Sequence, residues 1–121
     1  IHDKHLLNIL NSLKKERGKH IFTYDGTNIS ADSVNNYLKA FGDFTTKYFR
    51  TWAANIEYIK GITDGKDSKE LIKEIAIKLN HTPVICKKNY LYNDLIDYTS
   101  KHTIKTNEPG KYFINFLEKR C

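Results

Sequence analysis

Along most of this 121-residue chain, apolar residues return at the spacing of one face of an α-helix, and each run ends at a breaker before the next begins. A first helix is expected over His2–Arg17, with Leu6, Ile9, Leu10 and Leu13 on one side. Asp3 stands near its start, basic residues near its end, and Gly18 serves as the stop. Ser30 can cap a second over Ala31–Phe41, closed by Gly42, with Val34, Tyr37, Leu38 and Phe41 apolar. A third begins at Asp43 or Thr45 and runs to about Lys60 before Gly61. Its stripe is read as Phe49, Trp52, Ala53, Ile56 and Ile59.

Asp67-Ser68-Lys69-Glu70 has the form of a capping box. The helix after it is expected to bury Leu71, Ile72, Ile75, Ala76 and Leu79 and to end near Asn80. Thr82-Pro83 then restarts a short helix, threonine as cap and proline at the first helical position. Asn93 or Asp94 caps another through Lys101, and Pro109–Arg120 closes the chain. The expected fold is mainly α, a compact multi-helix domain with at most a short extended segment over 20–24. No second strand to pair with that segment is evident.

Composition narrows the function. Net charge is +6 and pI about 9.2, as in many nucleic-acid-binding domains. No run approaches the ~18 apolar residues that a membrane span requires, so no membrane partner is expected. Two cysteines, Cys86 and Cys121, make neither a disulfide framework nor a metal set, and point to a reducing, intracellular setting. The histidines lack metal-ligand spacing and no glycine-rich phosphate loop is present, so neither metal nor cofactor is expected. With no methionine, the sequence reads as residues 1–121 of something longer, a C-terminal fragment with catalytic parts upstream.

Three side chains carry candidate chemistry. Arg50 lies at the border of the third helix's stripe, where a guanidinium presents a rigid fork to a phosphate; it could equally be a surface arginine or a partner of Glu57. His81 sits at the joint before Thr82-Pro83, able to donate to a phosphate oxygen or merely to fill the turn. Tyr90 is a usable nucleophile if cations stabilise its oxyanion, and Lys87 and Lys88 are near in sequence. From the residues alone, Tyr90 and Tyr92 stand level. A continuous helix would hold His81 and Tyr90 ~13 Å apart along its axis. A shared site therefore demands a second irregularity between Lys87 and Tyr90.

Two stretches carry a resemblance. Lys47-Tyr48-Phe49-Arg50-Thr51-Trp52 is similar to the arginine box of type IB DNA topoisomerases. Leu79-Asn80-His81-Thr82-Pro83, followed by Lys87-Lys88-Asn89-Tyr90, resembles the histidine-to-tyrosine box of the poxvirus-like and bacterial branch. The resemblance implies the topoisomerase/tyrosine-recombinase catalytic fold. It implies that Arg50 and His81 contact the scissile phosphate and that Tyr90, rather than Tyr92, attacks it. It implies ATP-independent relaxation of supercoiled DNA through a 3′-phosphotyrosyl link, by a monomer acting on double-stranded DNA inside the cell. Lys47, Lys87 and Lys88 are placed on the DNA side, with Asn55 in a supporting role. The family's further arginine and general-acid lysine, the latter on a β-hairpin, are expected upstream, so the fragment alone is expected to be inactive. Two other readings remain: a tyrosine recombinase, though Lys47 stands where recombinases usually carry histidine, and a non-enzymatic helical DNA-binding module.

Overall fold

The computed structural model describes residues 2–15, 20–24 and 27–120. It is mainly helical and divides into two compact units, Ile1–Thr46 and Lys47–Cys121. The end of the expected first helix at Arg17, its Gly18 stop and Cys121 fall outside the described residues.

The first unit holds α1 (Lys4–Lys14), a two-stranded hairpin (β1, Thr23–Tyr24; β2, Thr27–Asn28) and α2 (Ala31–Leu38). Asp3 caps α1 by accepting from the Leu6 amide at 2.9 Å, and Ser30 caps α2 by accepting from Ser33 at 3.1 Å. The hairpin corrects the expectation of an unpaired extended piece. Thr23 pairs with Asn28 and Tyr24 with Thr27 in antiparallel register, and Ile29 N–H donates to the Phe22 carbonyl. The second strand, Thr27-Asn28, is short and polar and leaves no alternating signal in the sequence. Neither α1 nor α2 buries a residue; Leu6 and Tyr37 are 45% and 67% exposed.

In the second unit α3 (Thr46–Thr63), α4 (Ser68–Lys78), α5 (Pro83–Asn89), α6 (Asn93–Lys101) and α7 (Pro109–Glu118) surround one core. Two expectations about α3 are corrected. It does not stop before Gly61 but runs through it, because a Cβ at that position would lie 2.4 Å from the Leu71 side chain. Glycine here permits a close approach to α4; the terminator is Gly65, at φ 80°. The buried face overlaps the expected stripe only in part: Ile59 is buried and Ile56 packs against the core, but Phe49, Trp52 and Ala53 are exposed. Ala54, Asn55, Tyr58 and Ile59 are buried, while Phe49 and Trp52 remain 55% and 41% exposed. Aromatic residues advertised the wrong side, because an alanine and an asparagine give little hydropathy signal for the side that packs.

The α4 expectation holds except at Leu79, which is the C-cap and only half-buried. Asp67 accepts from the Lys69 and Glu70 amides, and Leu71, Ile72, Ile75 and Ala76 are buried. The Tyr58 hydroxyl shares hydrogen bonds with Ser68 and Thr99, so the core tyrosine is satisfied where α3, α4 and α6 meet. Asn93 is the first residue of α6 rather than its cap; Tyr92 holds the cap position without a side-chain bond. Ile104, in the loop before α7, is buried although it belongs to no periodic run.

Candidate active site

The site forms where two joints in the chain meet one face of α3. At the first joint α4 ends and Asn80 turns into the left-handed region at φ 57°. There the His81 amide donates back to the Ala76 carbonyl at 3.0 Å, the six-to-one closure of a helix C-terminus. Thr82 then caps α5 by accepting from Ile85, with Pro83 in the first turn. At the second joint α5 stops at Asn89. The Tyr90 and Leu91 amides both donate to the Cys86 carbonyl, at 3.1 and 3.0 Å. No unbroken helix runs from Asn80 to Tyr92, but the second irregularity falls at Tyr90 and Leu91 rather than between Lys87 and Tyr90; α5 itself is a regular helix that spans the two joints.

The result is close packing of the three candidate side chains. The His81 and Tyr90 rings stack with centroids 4.7 Å apart and planes 2° from parallel. The Arg50 guanidinium carbon lies 5.1 Å from the Tyr90 ring centroid, within cation–π range. Arg50 also donates from Nη2 to the Leu79 carbonyl, one of the acceptors left open at the C-terminus of α4. That bond aims the fork and leaves other guanidinium donors for an anion. Arg50 is not the partner of Glu57, which pairs with Lys60 and Lys78. The Lys78 hydrogen bond is the largest influence holding the Glu57 carboxyl below its ordinary value, against the opposing effect of burial.

His81 approaches the Thr82 carbonyl with Nδ1 at 3.3 Å, while Nε2 is shut from solvent without a hydrogen-bond partner. A polar atom in that state stands out, because most buried nitrogens are satisfied. Tyr92, level with Tyr90 on sequence, is separated from it by geometry: its ring meets Phe116 of α7 edge-on, with centroids 6.4 Å apart.

Asn55, expected in a supporting role, lies inside the protein and not on its surface. It is fully buried. Its amide nitrogen donates to the Tyr90 carbonyl at 2.8 Å and to Thr51 at 2.7 Å, and its oxygen accepts from the Tyr92 amide at 2.9 Å. One side chain thus grips the backbone on both sides of Leu91. The sequence signal for it was only its place three residues after the arginine box.

Lys47 is exposed in the first turn of α3. Lys87 and Lys88, expected as cations beside the phenol, instead line a groove shared with α4, and the cation over Tyr90 is Arg50. Cys86 is wholly buried on the inner face of α5, and burial raises its thiol pKa. Among the described residues no group of three or more His, Cys, Asp or Glu is placed to hold a metal ion, and no helix is long and apolar enough to cross a membrane.

Comparison with known proteins gives one finding. The family model described as eukaryotic DNA topoisomerase I, catalytic core, matches residues 1–111. Comparisons with curated proteins and with solved structures give no match.

Proposed function

The chain belongs to the DNA topoisomerase I family, and from that premise we propose that it is the C-terminal part of the catalytic domain of a type IB enzyme, with Tyr90 as the nucleophile. The observation that carries the reading is the convergence of Arg50, His81 and Tyr90 from three separate places in the chain. The His81-to-Tyr90 spacing supports the poxvirus-like and bacterial branch.

The chemistry follows from charge. The Tyr90 phenolic oxygen gives up its proton and attacks the scissile phosphorus. The bond from phosphorus to the 5′-oxygen breaks, leaving a 3′-phosphotyrosyl link and a 5′-hydroxyl once that oxygen has taken a proton. The phosphorane between these states carries extra negative charge. Arg50 and His81 donate to its non-bridging oxygens, so fixed donors replace water. The phosphodiester's bond energy is kept in the tyrosyl link, so the reverse attack reseals the strand without ATP. Lys47, Lys87 and Lys88 hold the backbone without reading sequence. The family's further arginine and general-acid lysine are matched to no residue here, so the chain by itself relaxes DNA poorly.

Relaxation of supercoiled plasmid by the full-length parent, with EDTA and without ATP, tests the reading. Relaxed topoisomers are expected, and Arg50→Ala should slow strand cleavage by about 10²–10³-fold. Strict dependence on ATP, or exchange of strands between two duplexes, would contradict it.

A further inference from the structure

Between α4 and α5 runs an open groove of about 600 Å³. Its floor is apolar, built from Ile72, Pro83 and Val84, and Val84 is 74% exposed. Its rim carries four lysines, Lys69 and Lys73 from α4 and Lys87 and Lys88 from α5, and no carboxylate lines it. Lys73 is held by Glu70 at 2.8 Å, whereas Lys69, Lys87 and Lys88 make no ion pair among the described residues.

The occupant must satisfy two demands, an apolar body and negative flanks. A phosphodiester backbone meets only the second. Its oxygens would find donors at the lysine rim, but the floor of Ile72, Pro83 and Val84 offers them only apolar side chains and would go unfilled. An amphipathic helix meets both. Its apolar side chains at i, i+3 and i+4 would enter the floor, and flanking Glu or Asp would face the lysines.

We propose that this groove docks an acidic amphipathic helical segment of a partner protein. The proposal does not depend on the topoisomerase reading. Because Lys87 and Lys88 are also assigned to the DNA backbone, duplex DNA is the competing occupant.

The test is a titration of the ¹⁵N-labelled full chain, followed by amide chemical shifts. One probe is an amphipathic peptide of Leu and Glu, about four helical turns long. A second has the same composition scrambled so that no apolar face forms, and a third is a short duplex DNA. Saturable shifts at Lys69, Val84 and Lys88 with the amphipathic peptide are expected. Val84→Asp should weaken that binding roughly tenfold or more, because a carboxylate enters the apolar contact, and Lys69→Ala should weaken it less. Val84 is exposed, so the folded spectrum of the variant should persist; Val84→Ser gives a milder second variant in the same assay. Equal binding of the scrambled peptide would overturn the proposal. So would shifts at Lys69 and Val84 produced by the duplex but not by the peptide.

Discussion

The two joints that flank α5 are closed by different means. The first, Leu79–Thr82, is closed largely by its own backbone and neighbours: a left-handed Asn80, a return bond to Ala76, a threonine cap and a proline. The second, Tyr90–Tyr92, depends on a side chain from elsewhere, Asn55 of α3, which accepts from one residue and donates to another. Helix α3 touches both, since Arg50 reaches the first joint at Leu79. Local chemistry is enough to break a helix. Placing a particular side chain against a particular partner takes a long-range tie.

The largest expected effect on stability is therefore at Asn55. Asn55→Ala leaves the Tyr90 carbonyl and the Tyr92 amide without their partner in a part-buried joint, at a cost of about 2 kcal/mol by the usual penalty for lost hydrogen bonds. Urea denaturation of the full chain measures this, and a loss below about 0.5 kcal/mol would mean the second joint closes without its long-range tie. Thr82→Ala should cost less, about 1 kcal/mol, the ordinary price of a lost N-cap. At Asn80 the comparison can be sharpened with two substitutions: Asn80→Ala should lose about 1 kcal/mol at a positive φ, while Asn80→Gly should be neutral or slightly stabilising. If both behave alike, backbone conformation does not close the first joint.

The smallest effect is at Glu57, whose pair with Lys78 ties α3 to the last turn of α4. Its folded pKa lies below the ordinary 4.5, with the Lys78 hydrogen bond as the main cause. The pair therefore stabilises fully above the unfolded value and is lost as pH falls through the lower folded value. Glu57→Gln should remove a few tenths of a kcal/mol at neutral pH and flatten the acid limb of the stability curve. An unchanged acid limb would show the pair to be without weight.

The contrast between joints also explains what could be read in advance. Asp67, Thr82-Pro83 and the Leu71–Ala76 spacing act within a few residues, and the caps and boundaries they imply are those observed. The need for a second break followed from helix rise alone, though it falls at Tyr90 and Leu91 rather than before Tyr90. The buried side of α3 was legible only in part, because Ala54 and Asn55 pack there while Trp52, more hydrophobic, stays 41% exposed against Phe113. Burial depends on what the rest of the chain brings to a face, and periodicity records only that a face exists. The hairpin partner Thr27-Asn28 was hidden for the opposite reason: two polar residues carry no pattern. In the candidate site, Arg50, His81 and Tyr90 were legible through the resemblance and their meeting through geometry. The burial of Asn55 and the turning of Lys87 and Lys88 toward α4 were not, since both depend on packing between distant elements.

The central claim is that the joints present Tyr90, and not its neighbour Tyr92, to the scissile phosphate. It is tested most directly by incubating the full-length parent with end-labelled duplex DNA and resolving the products on a denaturing gel. Wild type and Tyr92→Phe should both give a covalent protein–DNA band, and Tyr90→Phe should give none. A band that survives Tyr90→Phe, or one that vanishes with Tyr92→Phe alone, would contradict the account.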